Sequence, residues 1–132
     1  MTSAVSEDVA HARHWWESLA AAAPGSLGGL WFGIFTGVRD GREQRTLYVA
    51  GTRTFNADDQ TADWAVAPYV WEPEGRYIVL PGLAALPDQP FDAPMVHGAA
   101  VIRGLAPWSA LPGVGVAVGY DDGDFQVLYD PE

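Results

Sequence analysis

The chain contains no cysteine and no lysine. Without cysteine it has no disulfide, no thiolate zinc site, no iron–sulfur cluster and no cysteine nucleophile. The lack of cysteine does not fix the compartment, because a domain of this size is stable without disulfides on either side of a membrane. All seven basic residues are arginine. Together with abundant alanine and glycine, this usage is associated with GC-rich bacterial genomes.

Long apolar runs and targeting signals are also missing. No segment approaches the roughly twenty apolar residues of a membrane span. The first eight residues are polar and acidic, unlike the cationic start of a signal peptide. We therefore expect a cytoplasmic protein with no membrane partner.

The motifs of common enzyme classes are absent as well. The order GxxxxGK[ST] of a phosphate loop does not occur, and neither does GxSxG. Gly28, Gly29, Gly33 and Gly37 lie in a strand pattern, where glycine favours close packing or a bulge. The spacing of the acids selects no carboxylate pair for acid–base chemistry. The sequence assigns no catalytic residue, no metal and no cofactor.

The composition indicates one folded domain over residues 1–132. Of the residues, 48% are hydrophobic and 12% aromatic, which is enough to build a core and is not typical of disorder. Ser6-Glu7-Asp8 is typical of a helix start, and an apolar stripe follows up to Pro24-Gly25. The stripe consists of Val9, Ala12, Trp16, Leu19 and Ala23.

The centre of the chain predicts two hairpins. Residues 28–38 alternate, Asp40-Gly41 predicts a tight turn, and residues 43–51 return. Residues 63–71 predict a third strand, although Pro68 favours an edge or a bulge there. Residues 76–80 predict a fourth strand.

The last third predicts a helix and a final hairpin. Asp92 is a candidate cap, Pro94 suits the first turn, and Pro107 ends the helix. Its predicted buried stripe is Met95, Ala99, Ile102 and Leu105. Residues 114–120 and 125–129 alternate around an acidic turn. Because short turns join antiparallel neighbours, we expect an α+β domain with a mostly antiparallel sheet of about six strands and two helices on one face.

The net charge of −10 lies entirely in the second part of the chain. Residues 1–53 carry five acids and five arginines, whereas residues 54–132 carry twelve acids and two arginines. An acidic surface lacks the phosphate-neutralising contacts that dominate nucleic-acid affinity, so no nucleic-acid partner is expected. It attracts cations or a basic protein.

Residues 56–63, here the acidic loop, contain Asp58, Asp59 and Asp63. A hard cation needs several oxygens converging from such a loop. The glycine and distal glutamate of an EF-hand are missing, which favours a solvated loop whose Asp and Asn side chains cap local turns. A second acidic group, Asp121, Asp122 and Asp124, lies in the last hairpin. Gly123 and one aspartate suit a tight turn, but three crowded carboxylates favour a contact with a partner.

Histidine and tryptophan give further candidates. Glu7, His11 and His14 share one side of the first helix, where metal binding competes with an ordinary polar face; no further ligand lies nearby, which favours the polar face. His97 is a lone histidine, packed or exposed rather than catalytic. Four aromatic residues lie beside acids or prolines, and one or two of them are expected to remain accessible at a binding surface. They are Trp64, Tyr69, Trp71 and Trp108.

In size, acidity and layout the chain resembles the small immunity proteins that bacteria pair with secreted toxins. The resemblance rests on Asp58, Asp59, Asp63, Trp64, Trp71, Asp121, Asp122 and Asp124. It implies a protein that occludes a basic partner through an acidic, aromatic surface. Two alternatives stay open: a small-molecule-binding domain or enzyme using surface carboxylates and aromatic residues, and a structural or adaptor domain. The sequence does not indicate an oligomeric state.

Overall fold

A computed structural model describes residues 3–66, 68–87, 92–105, 113–120 and 124–131. The helices and strands follow one another in this order: α1 Ser3–Ala20, β1 Gly29–Arg39, β2 Arg42–Thr52, β3 Tyr77–Ile78, α2 Pro81–Ala85, α3 Ala93–Arg103, β4 Gly115–Tyr120 and β5 Phe125–Tyr129. One turn of 3-10 helix, Asp63–Ala65, lies between β2 and β3. The α+β class is confirmed.

Among the described residues, the sheet has five strands in the order β3-β2-β1-β4-β5 and is mixed. β1 pairs antiparallel with β2 and parallel with β4, while β4 and β5 are antiparallel. The expectation of about six mostly antiparallel strands is therefore wrong in number and partly in direction. A parallel neighbour requires a long crossover, and the chain between β3 and β4, which carries α2 and α3, supplies it.

The first hairpin pairs without interruption. β1 and β2 pair along their whole length, from Gly29 with Thr52 to Arg39 with Arg42. Asp40 and Gly41 both have positive φ, 54° and 75°. This backbone conformation matches the twist of the two strands, which is why the Asp-Gly pair predicts the turn.

Residues 63–71 do not form the strand that their alternation predicts. Asp63–Ala65 is helical, and only Trp71 reaches the sheet, through a single bridge to Gly51. The predicted fourth strand shortens to Tyr77–Ile78 because Pro81 begins α2, which the sequence did not predict. Proline at the first position of a helix loses no hydrogen bond there.

All three helices contribute to the main core on one face of the sheet. α1 begins at Ser3 rather than Ser6 and presents its predicted apolar stripe to the strands. In α3, Ala99 and Ile102 are buried, whereas Met95 is half-buried. The fully buried large residues of this core are Leu30, Phe32, Leu47, Val49, Leu80, Leu83, Val101, Ile102, Val116 and Val118.

Candidate interaction surface

The opposite face of the sheet carries a layer of aromatic rings, here called the aromatic face. Its buried or half-buried rings are Trp31, Phe35, Tyr48, Phe55, Trp64, Tyr69 and Phe125. The rings meet one another edge-on or tilted, with Phe55 and Trp64 closest at 4.7 Å between ring centroids. This layer is the surface on which the acidic loop lies.

Glycines of β1 and β4 give the rings room to lie close to the sheet. A Cβ added at Gly33 would lie 2.1 Å from the ring of Tyr48, and one at Gly115 would lie 2.3 Å from the ring of Phe55. At Gly119 it would lie 2.5 Å from the ring of Trp31. The interpretation that strand glycines permit close packing is thus confirmed for Gly33, and β4 uses glycine in the same way.

Both ends of the acidic loop are fixed to the aromatic face. Phe55 precedes the loop and covers Gly115, and Trp64 follows it and packs against Trp31 at 6.2 Å between ring centroids. Trp64 is only 8% exposed. The side chain that we expected near a binding surface therefore anchors the loop from below.

The inside of the acidic loop is held by its own side chains. Asn56 Oδ1 accepts the N–H of Asp58 at 3.0 Å. The carboxylate of Asp59 accepts the N–H and hydroxyl of Thr61 and the N–H of Asp63. These bonds, led by that from the Thr61 hydroxyl, lower the pKa of Asp59. Asp59 therefore organises the loop, as expected of side chains that cap local turns.

The other two carboxylates of the loop are exposed. Within the described parts of the chain, no arginine forms an ion pair with Asp58 or Asp63, and the same is true of Asp124. Asp58 also lines a polar pocket of about 220 Å³, together with Asn56, Phe55 and Asp130. The structure thus brings one loop carboxylate next to Asp130.

The second acidic group is only partly described. Asp124 is exposed and directly precedes β5, whereas Asp130 directly follows it, so these two acids lie at opposite ends of that strand. Asp121, Asp122 and Trp108 lie outside the described residues. Tyr69 and Trp71 are half-buried; Tyr69 packs against the aromatic face and Trp71 against the main core.

The histidine candidates do not gather into a site. Glu7, His11 and His14 are exposed on α1, and no three potential metal ligands converge among the residues that the structure describes. A groove of about 340 Å³ near the first hairpin has a largely apolar lining that includes Phe35, Val38 and Tyr77. None of its lining residues that the structure describes carries a carboxylate or an imidazole.

A buried polar centre, not predicted from the sequence, lies under the helices. Asp8 is fully buried and accepts the N–H groups of Gly82 at 2.9 Å and Leu83 at 2.8 Å. Nε2 of His97, also buried, lies 2.7 Å from the same carboxylate. The signal was present, because Asp8 lies three residues after Val5 and four before Ala12, on the apolar stripe of α1. The contact joins α1, α2 and α3.

Comparisons with protein-family models, with curated proteins and with solved structures found no match to this chain. None of the helices in residues 3–20, 81–85 and 93–103 has both the length and the apolar character needed to cross a membrane.

Proposed function

We propose that this protein is an acidic binding module that occludes a basic protein partner in the cytoplasm, in the manner of immunity proteins that block a secreted toxin. The observation that carries the proposal is the acidic loop. Asp58 and Asp63 are exposed on it without an arginine partner among the described residues, while the loop itself is fixed to the aromatic face. Carboxylates left without internal partners are free to meet cations on another molecule.

The rigidity of the loop supports binding. The carboxylate of Asp59 accepts three hydrogen bonds within the loop, and Trp64 anchors the C-terminal end of the loop. A loop that is already ordered loses little conformational entropy when it docks. Its remaining carboxylates therefore contribute to binding with a small ordering cost.

Charge and aromatic area have separate roles in this proposal. The net charge of −10 steers a cationic partner toward the protein and raises the association rate. The half-buried ring of Tyr69, on the same face as the acidic loop, offers apolar area of the kind that supplies affinity at interface centres. The association rate, more than the dissociation rate, should then depend on salt.

The test compares two double variants with equal charge changes. Asp58→Asn with Asp63→Asn removes the free loop carboxylates, and Glu72→Gln with Glu74→Gln removes two exposed acids outside the loop. The tagged chain is used to capture proteins from the cells that produce it, at low and then at raised salt. Association of a captured protein is then measured by surface plasmon resonance.

We expect a basic protein whose association slows about threefold or more with the loop variant at low salt, and much less with the control. Unfolding midpoints of both variants should stay close to that of the parent, since surface charges contribute little to stability. Capture of no basic protein, or an equal loss of rate with both variants, would contradict the proposal.

A further inference from the structure

The two edges of the sheet differ in how they are protected. β3, at one edge, has only two residues, and very short edge strands resist pairing with other chains. β5, at the other edge, has the five residues Phe125–Tyr129 with no charge and no proline among them. The pairing of β5 with β4 shifts register between Val116 and Ala117, opposite Tyr129 and Val127, and such an irregularity protects that end of the edge. The uncharged residues 125–127 before it keep regular pairing and remain a template for strand addition.

The hydrogen-bond pattern identifies the groups that β5 presents outward. The N–H of Tyr120 donates to the carbonyl oxygen of Asp124 at 2.8 Å, so these two residues form a hydrogen-bonded pair. Bonded and non-bonded pairs alternate in an antiparallel ladder. Phe125 and Val127, opposite Gly119 and Ala117, therefore direct their backbone N–H and C=O groups away from β4. In the described chain, no other backbone group pairs with them.

The side chains of β5 belong to both layers of the molecule. Phe125 packs with Trp31 on the aromatic face at 6.2 Å between ring centroids, and Leu128 packs against the main core. A sixth strand beside β5 would extend both layers. Its alternating residues would cover the half-buried side chains of β5 on each face of the sheet.

Acids flank this strand at both ends. Asp124 and Asp130 are exposed, and residues 121–132 contain five acids and no basic residue. A second copy paired antiparallel about Val127 would place Asp124 of each copy opposite Asp130 of the other. Like charges directly opposite each other are unfavourable, and each copy already carries a net charge of −10. The charges instead complement a basic segment, with Asp124 as its exposed counterpart at one end of β5.

We propose that the outer edge of β5 binds an extended segment of the basic partner by strand addition. Backbone bonds to Phe125 and Val127 would hold this segment, and the exposed Asp124 would pair with arginine or lysine at one end of it. The inference rests on the proposed function and adds where and in what conformation the partner binds. The acidic loop steers the approach, and β5 provides the contact that fixes the register.

The test uses the full chain and a synthetic peptide of alternating valine and threonine between two arginine pairs. Val127→Pro removes the outward N–H without removing a bond to β4, and proline is tolerated at such edge positions. Val127→Thr is the matched control, because it keeps the N–H. A peptide methylated on alternate backbone nitrogens is the control for the ligand.

We expect the peptide to slow amide hydrogen exchange at Phe125 and Val127 and to bind Val127→Pro about tenfold more weakly than Val127→Thr. Asp124→Asn should weaken binding at low salt but not at high salt. If Val127→Pro does not fold, the exchange and salt measurements still decide the matter. Unchanged exchange at both amides, or equal binding of the methylated peptide, would overturn the inference.

Two further outcomes separate this inference from the proposed function. If the chain alone sediments as a dimer that Val127→Pro dissociates, the edge belongs to a second copy and the inference is wrong. If Asp58→Asn with Asp63→Asn slows association of a captured basic protein while Val127→Pro leaves its affinity unchanged, the proposed function stands and strand addition is wrong.

Discussion

The two faces of the sheet are built in different ways from the same strands. Along β1, Leu30, Phe32 and Ile34 enter the main core under three helices, whereas Trp31 and Phe35 join the aromatic face. On the helical face, aliphatic side chains are excluded from water by regular secondary structure. On the aromatic face, side chains are excluded from water by a few large rings and an irregular loop. The comparison indicates that large anchoring side chains can fix a loop to a sheet where no helix covers it.

The polar groups of the two faces differ as well. Under the helices, the buried Asp8 carboxylate is satisfied by two backbone N–H groups and His97. On the aromatic face, Nε1 of Trp64 is buried without a hydrogen-bond partner among the described residues. We therefore expect substitutions to have their largest effects on stability at the polar centre under the helices and smaller effects beneath the acidic loop.

The largest effect is expected for Asp8→Ala, which would separate the three helices at their common contact. Removing the carboxylate leaves two backbone donors and His97 without their buried acceptor, which should cost about 3–5 kcal/mol of unfolding free energy. Glu7→Ala, at an exposed position of the same helix, is the matched control and should change the free energy by less than about 0.5 kcal/mol. Urea denaturation followed by circular dichroism measures both. Similar values for the two variants would show that the Asp8 contact adds little.

An intermediate effect on the free energy of unfolding is expected when either of two tryptophans on the aromatic face is replaced by phenylalanine. Nε1 of Trp31 donates to the hydroxyl of Tyr48 at 3.1 Å, whereas Nε1 of Trp64 has no partner in the described structure. Trp31→Phe therefore loses a hydrogen bond, while Trp64→Phe removes a buried donor that is unsatisfied. We expect Trp64→Phe to be the milder change by about 1–3 kcal/mol, measured by the same denaturation. If Trp64→Phe were instead the more destabilising of the two, the indole of Trp64 would stabilise the loop by something in addition to its packing.

The smallest effect on stability is expected at low pH, for a substitution in the acidic loop. Because hydrogen bonds lower the pKa of Asp59 in the folded state, its stabilising contribution is present above the ordinary value of 3.8 and is lost as the pH falls through the lowered value. The difference in unfolding midpoint between the parent and Asp59→Asn should therefore shrink as the pH falls from about 5 to about 2. Thermal unfolding across this range measures it. Asp58→Asn is the control for losing one loop charge, and an equal pH trend in both variants would contradict the role of Asp59.

How far the sequence predicts this fold depends on the distance between the interacting residues. The first hairpin is predicted because Asp40 and Gly41 fix its turn locally. The parallel pairing of β1 with β4 depends on a long crossover that no local signal reveals. The alternation in residues 63–71 is misleading, because Trp64 is buried by rings of the aromatic face rather than by strand pairing.

The same reasoning applies to the candidate surface. Residue type alone predicts that Asp and Asn would organise the acidic loop, and the bonds of Asn56 and Asp59 confirm it. Residue type does not show which carboxylates of the loop lack a partner, because that depends on the positions of Thr61 and of the arginines in the folded chain. The outward-facing backbone groups of β5 could not be predicted from the sequence either, because the position of a strand at the edge of a sheet follows from the whole topology.

The glycines beneath the aromatic rings limit how this protein can diverge during evolution. Any side chain at Gly33, Gly115 or Gly119 would collide with a ring, so each glycine and its ring must change together or not at all. The exposed positions of the acidic loop carry no such restriction. Descendants of this sequence should therefore acquire new binding preferences by exchanging loop residues above an unchanged layer of rings.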